Sequence, residues 1–195
     1  SSIFFRGVKW IFFPTTLLAQ GDSCIGGKSS INIGNYKNQL GNFYPPEKIF
    51  IAPSFLYSLS KIDFISGMGE ILHFHLISGR EDFNFYRENF QKTMENENSI
   101  LKLIKRTLEI KKQFIERDEF DTGERLLLNY GHSFGHALES ITNYKIPHGV
   151  AVSFGMDIAN FISVKLNFMD IKEKNEIRNQ LKQIWEGIIL PKINI

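Results

Sequence analysis

The apolar positions change their spacing near Ser54. Ahead of it they come in short runs, Val8-Lys9-Trp10-Ile11-Phe12-Phe13 and Ile49-Phe50-Ile51-Ala52, set among Gly7, Gly21, Gly26, Gly27, Gly34 and Gly41. Such runs, bounded by glycine and proline, predict buried strands over residues 8–13 and 49–52. Beyond Ser54 the period turns helical, and no proline stands between Pro53 and Pro147, so long helices are permitted. Ile100, Leu101, Leu103, Ile104, Leu108 and Ile115 follow helical spacing closely. Helices are expected over residues 62–77, 99–116, 125–141, 149–166 and 171–188. The pattern predicts an α/β part over residues 1–53 and an all-α part over residues 54–195.

Composition narrows the function classes. The chain has 195 residues, 43% of them hydrophobic, enough for one good core. Lys and Arg total 23 against 21 Asp and Glu, which suggests neither nucleic acid nor an anionic membrane as partner. No apolar run approaches the ~20 residues of a membrane span. The apolar opening segment is interrupted by Pro14-Thr15-Thr16 and lacks a charged leader, so it reads as strand rather than secretory signal. The single cysteine, Cys24, forms no internal disulfide; a reducing, cytoplasmic location is expected. The chain lacks an initiator Met and reads as a piece of a longer protein, or one trimmed at its start.

Candidate chemistry gathers around Asn129-Tyr130-Gly131-His132-Ser133-Phe134-Gly135-His136. His132 and His136 share a helix face at this spacing. His148 follows in Pro147-His148-Gly149, at the expected start of the next helix, and Glu70 lies in Gly67-Met68-Gly69-Glu70. Two imidazoles and a carboxylate can form a catalytic zinc shell with an open position. By spacing alone, surface or satisfied core histidines remain the alternative. In Asp22-Ser23-Cys24-Ile25-Gly26-Gly27-Lys28 the paired glycines let backbone approach an anion, with Lys28 adding charge. The first glycine of a P-loop is missing, which disfavours a nucleotide triphosphatase. Lys37 and Asn38 could serve the same anion. Lys111 and Arg125 bracket a polar turn, and local pattern makes them solvated.

Taken together these segments resemble the 3-dehydroquinate synthases, within the sugar-phosphate cyclases. The match runs through Arg6-Gly7-Val8, Pro14 to Gln20, Asp22-Ser23 with Gly26-Gly27-Lys28, and Lys37-Asn38. It continues through Gly69-Glu70, Lys111, Asp118-Glu119, Gly123 with Arg125, Asn129, Gly131-His132, Gly135-His136, and His148-Gly149 with Ala151-Val152. The resemblance implies a Rossmann-like NAD-binding part followed by an α-helical metal and substrate domain. It implies that Glu70, His132 and His148 bind zinc, or another divalent metal such as cobalt. Lys28, Lys111, Arg125, Asn129 and His136 would be the catalytic groups. Asp22, Asn38 and His73 would meet substrate, and Arg6 would reach the neighbouring subunit's substrate in a homodimer. NAD would lie by Thr15, Thr16, Asp22, Lys28, Lys37 and Ser58.

The implied reaction is phosphate elimination and carbocycle formation from a heptulosonate phosphate of the shikimate pathway, with NAD used catalytically. The chain departs from the family at His73, where a Lys is usual, at Val150, often Glu, and at Gly21, usually apolar. A Gly-rich NAD-binding segment is expected ahead of Arg6 in the family, and a late phosphate-binding Lys after Leu190-Pro191. A sister cyclase acting on another sugar phosphate, such as sedoheptulose 7-phosphate, is the second reading. An inactive helical interaction fragment is the third.

Overall fold

The computed structural model describes residues 7–34, 36–94 and 96–190, without the side chains of Asn32, Tyr36, Lys37 and Met94. Strands β1 (Ile11–Phe12) and β4 (Lys48–Ile49) pair in parallel, Ile11 opposite Lys48. Both fall within or beside the expected runs but are shorter. Pro14 ends the first, and the second gives way to a 3₁₀ turn, Pro53–Ser58. Between them β2 (Lys28–Ile33) and β3 (Tyr36–Phe43) form an antiparallel ribbon that the apolar runs did not predict. Ile31, Ile33, Leu40 and Phe43 are all exposed, so the ribbon has no clearly buried face to mark it in sequence. A π-helical turn, Ala19–Ser23, joins β1 to the ribbon.

Helix α1 (Lys61–Ser78) is the centre of the helical body. Ser60 caps it by accepting from the Asp63 amide, and every residue from Ser66 to His75 is buried. A helix buried on all sides must be covered by others. It packs against α2 (Arg80–Phe90), α3 (Glu97–Arg117), α5 (His148–Lys165) and α6 (Ile171–Trp185). Helix α2 was not expected; it turns away from α1 at Gly79 (φ 112°) and buries Phe83, Tyr86 and Phe90. Helix α3 is capped by Asn96 and buries Ile100, Leu103, Ile104, Thr107, Ile110, Lys111 and Phe114, the apolar stripe of its sequence with one lysine in it. Ile71, Leu72, Leu103 and Leu181 are almost wholly removed from water, each worth about 1.5–3 kcal/mol of burial.

Residues 125–141, expected as one helix, are two elements. A 3₁₀ turn (Glu124–Asn129) precedes α4 (His132–Ile141), and Gly131 between them adopts a left-handed conformation, φ 78°. A side chain there would also strike Met156 at 2.5 Å. Small residues set the remaining approaches. A Cβ on Gly69 or Gly149 would collide with backbone across the α1–α5 contact, and the Gly149 amide donates to Ser66 Oγ at 3.0 Å. One on Gly135 would stand 2.9 Å from Val152 Cα, across the α4–α5 contact. These contacts bring α1, α4 and α5 close enough for their polar side chains to meet.

Candidate metal and substrate site

Glu70 leaves the middle of α1, while His132 and His148 are the first residues of α4 and α5. Glu70 Oε1 lies 3.9 Å from His132 Nε2, and Oε2 lies 3.6 Å from His148 Nε2. The three residues offer ligand atoms within 4.8 Å of one another. Glu70 is 4% exposed, and its Oε2 has no hydrogen-bond partner among the described residues. A buried carboxylate oxygen left in that state is costly unless a cation or proton meets it. The donor set and its spacing fit a divalent metal.

The electrostatics agree. Burial, and then the Asp22 carboxylate, push the Glu70 carboxyl up to about 7. Burial opposes charge on His148 too, yet the Glu139 and Glu70 carboxylates outweigh it and raise its pKa. His132 is lowered to about 4 by burial and by His148. Burial and these neighbours thus favour positive charge, from a proton or a cation, beside Glu70.

A cleft of about 150 Å³ opens beside this centre, lined by Asp22, Lys28, Glu70, Lys111, Arg125, Asn129 and His132 among others. Lys111 and Arg125, which local pattern would leave in solvent, are 6% and 2% exposed. Lys111 Nζ donates to Asp22 Oδ1 at 2.7 Å and to the Asp22 carbonyl at 2.6 Å. Arg125 is held from below. Asp118 accepts from the amides of Thr122, Gly123 and Arg125 at 2.7–3.0 Å, which shapes the turn that carries the guanidinium. Arg125 then donates to the carbonyls of Glu119 at 2.6 Å and Gly26 at 3.3 Å. Lys28 Nζ pairs with Asp121 at 2.5 Å.

The other expected residues are placed as follows. His136 is half-exposed, its ring 5.4 Å from that of His132 and 5.6 Å from that of His148. His73 is wholly buried, with Nδ1 3.5 Å from Glu70 Oε1 and its ring 5.1 Å from that of His132. Burial, then His132 and His148, hold it well below the usual histidine value, so it is neutral. Thr15 and Thr16 follow β1, the second accepting from the Ala19 amide. Asn38 accepts from Ser30 Oγ within the exposed ribbon, and Ser58 donates to the Phe55 carbonyl; neither lines the cleft. Arg6 and the side chain of Lys37 lie outside the described residues. Glu139 and Asp121 escaped the sequence reading. The signal for Glu139 was available, because it follows His132 by seven residues on the same helix face.

The description "3-dehydroquinate synthase C-terminal" belongs to the family model that matches residues 67–190, and "3-dehydroquinate synthase N-terminal" to the one that matches residues 1–66. The chain belongs to the 3-dehydroquinate synthase family. Among curated relatives, the 3-dehydroquinate synthase of Thermodesulfovibrio yellowstonii is 40% identical over 98% of this chain and 54% of its own. That of Clostridium tetani is 45% identical over 98% of this chain and 50% of its own. The chain thus spans about half the length of the family members it matches. Among solved structures, 2-epi-5-epi-valiolone synthase from Streptomyces hygroscopicus, with NAD+ and Zn2+ bound, has the same fold (TM-score 0.86, 23% identity, 99% of this chain and 53% of that one). So does 2-deoxy-scyllo-inosose synthase complexed with carbaglucose-6-phosphate, NAD+ and Co2+ (TM-score 0.83, 24% identity, 98% and 53%). Among the described residues no helix is long and apolar enough to cross a membrane.

Proposed function

We propose that this chain supplies the metal- and substrate-binding part of a 3-dehydroquinate synthase, acting in the cytoplasm as a homodimer on a heptulosonate phosphate. Residues 1–53 would belong to the NAD-binding domain and residues 54–195 to the metal and substrate domain. The observation that carries this reading is the meeting of Glu70, His132 and His148 beside a cleft walled by buried cations. Family membership supports it. Thr15 and Thr16 at the carboxyl end of a parallel strand stand where α/β sheets bind ligands, and they fit the edge of an NAD site.

When bound, a zinc or cobalt ion would supply Lewis acidity at a substrate oxygen, and NAD would accept and return hydride. The chain's own residues do the rest. Arg125 has its Nε buried without a partner among the described residues, and a guanidinium has five donors; the unused ones suit a carboxylate. Asp22 steers the Lys111 ammonium to the mouth beside Glu70, where it can meet a phosphate or hydroxyl. His136, half in solvent, can exchange a proton at the same mouth. The buried walls hold the substrate in one orientation and exclude water.

A sister cyclase working on another sugar phosphate is the second reading. The residue on its side is His73, whose imidazole, held neutral by burial, offers no ammonium where the family usually has Lys; only its protonated form could stand in for one in part. The test is turnover by a version extended to the length of the relatives. Release of phosphate and formation of dehydroquinate from the heptulosonate phosphate are expected. Turnover of sedoheptulose 7-phosphate alone would transfer the proposal to the second reading. A chain that binds no metal at all would support the third, an inactive interaction fragment.

A further inference from the structure

Glu139 stands in α4 three residues after His136 and seven after His132, and its side chain is only 6% exposed. The site described above gives this buried carboxylate no task. Its Oε2 lies 3.4 Å from His148 Nδ1 and 4.0 Å from His136 Nε2. The other nitrogen of His148, Nε2, faces Glu70 at 3.6 Å.

His132 is arranged in the same way with a different acceptor. Its Nδ1 lies 3.2 Å from the Tyr130 carbonyl, and its Nε2 faces Glu70 at 3.9 Å. Each imidazole thus has an oxygen behind Nδ1 and the buried carboxylate in front of Nε2. A neutral imidazole carries its hydrogen on one nitrogen and a lone pair on the other. An acceptor at Nδ1 fixes the hydrogen there and leaves the Nε2 lone pair to a metal.

We infer that Glu139 is a positioning residue that locks His148 in the Nδ1–H tautomer, with Nε2 turned to Glu70 and His132. The inference rests on the reading of Glu70, His132 and His148 as a metal site. The fold explains why a carboxylate from another helix is required. His148 opens α5, and the first turn of a helix presents unpaired N–H groups rather than carbonyls. His132 also opens a helix, but the left-handed Gly131 folds the Tyr130 carbonyl back onto it. No such reversal precedes His148, whose neighbour Pro147 is extended. Glu139 supplies the missing acceptor and adds a negative charge next to the cation.

The same atoms allow a rival arrangement, since His136, Glu139 and His148 also offer donors within 4.8 Å. A second ion there would need the His148 Nδ1 lone pair, which the proposed tautomer denies it. The experiment is titration of Zn2+ and Co2+ into the 195-residue chain at neutral pH, by competition with a chromophoric chelator. The unaltered chain, Glu139→Gln, Glu139→Ala and His132→Ala are compared. One equivalent should bind the unaltered chain, and His132→Ala should lose it. Glu139→Ala should weaken binding about 10- to 100-fold. Glu139→Gln, whose amide oxygen still accepts from Nδ1–H, should recover part of that loss and, being nearly isosteric, guards against misfolding. Thermal midpoints in excess chelator report folding apart from the metal and should stay close to one another. Unchanged affinity in both Glu139 variants, or two equivalents in the unaltered chain, would overturn this inference alone. No metal in the unaltered chain would overturn the site reading as well.

Discussion

Lys111 of α3 grips Asp22 of the π-helical turn twice, at the side-chain oxygen and at the main-chain carbonyl. The contact bridges 89 residues of sequence and ties the glycine-rich loop to the helical body. Lys111 is 8% exposed at its side chain and Asp22 28%. Removing one partner strands the other, which costs about 3–5 kcal/mol when both are fully buried. Because Asp22 stays partly wet, Lys111→Met is expected to cost roughly half of that. Urea unfolding should show the drop, and an unchanged midpoint would mean that the pair contributes nothing.

Metal binding should tighten as pH rises through neutrality. Burial and Asp22 raise Glu70 to about 7, and His148 is raised as well. Below that range a cation must displace a proton, and above it the carboxylate is already bare. Calorimetric titration of Zn2+ in buffers of different ionisation enthalpy should show proton release on the acid side that fades on the alkaline side. A flat profile would mean that the ion binds elsewhere.

A saturating ion should also stabilise the fold, because its three ligands come from three helices. At a hundredfold excess over Kd the gain is about 2.7 kcal/mol. It should appear as a raised thermal midpoint, reversed by chelator and missing in Glu70→Gln.

Acid should destabilise the metal-free chain well above the carboxylate range. His75 is buried and accepted by the Ile71 carbonyl, with its ring stacked on Phe85. Burial lowers it to about 4 from its ordinary 6.5. Between those values the unfolded chain takes up a proton that the folded chain refuses, so stability falls as pH drops from 6.5 towards 4. The full effect is roughly 3 kcal/mol. His73 and His132 push in the same direction. His75→Met should flatten part of the slope of stability against pH, and an unaltered slope would show that the ring titrates normally.

Gly135→Ala should act on both structure and site. The added methyl would meet Val152 at 2.9 Å, and overpacking of this kind costs about 1–3 kcal/mol. Forcing α4 from α5 also parts His132 from His148. Stability and Zn2+ affinity should fall together, and loss of only the first would mean that the helices yield without moving the ligands.

The helical body was largely legible because α3, α5 and α6 carry their periodicity or their caps in nearby residues. The break before α4 was not, since apolar spacing runs through residues 125–141 and only Gly131 interrupts it. Nor was the β2–β3 ribbon, whose apolar side chains face solvent and so obey no burial pattern. The three candidate ligands could be named because the pattern of segments is specific, but their meeting depends on the contacts of Gly69 and Gly149 with backbone far away in sequence. The burial of Lys111 and Arg125 had no local sign at all. It arises from Asp22, Glu119 and Gly26, which only the folded chain brings to them.

His132 and His148 each open a helix, and this has an electrostatic consequence. The start of a helix behaves as roughly half a positive charge, so two such ends lie beside the place a cation would occupy. Glu70, Glu139 and Asp22 must first overcome that field before a metal is welcome. A divalent ion held by Glu70, His132 and His148 would add its charge to two helix ends that carry the same sign. The carboxylates of Glu70, Glu139 and Asp22 are therefore what would make a cation tolerable between two positive helix ends.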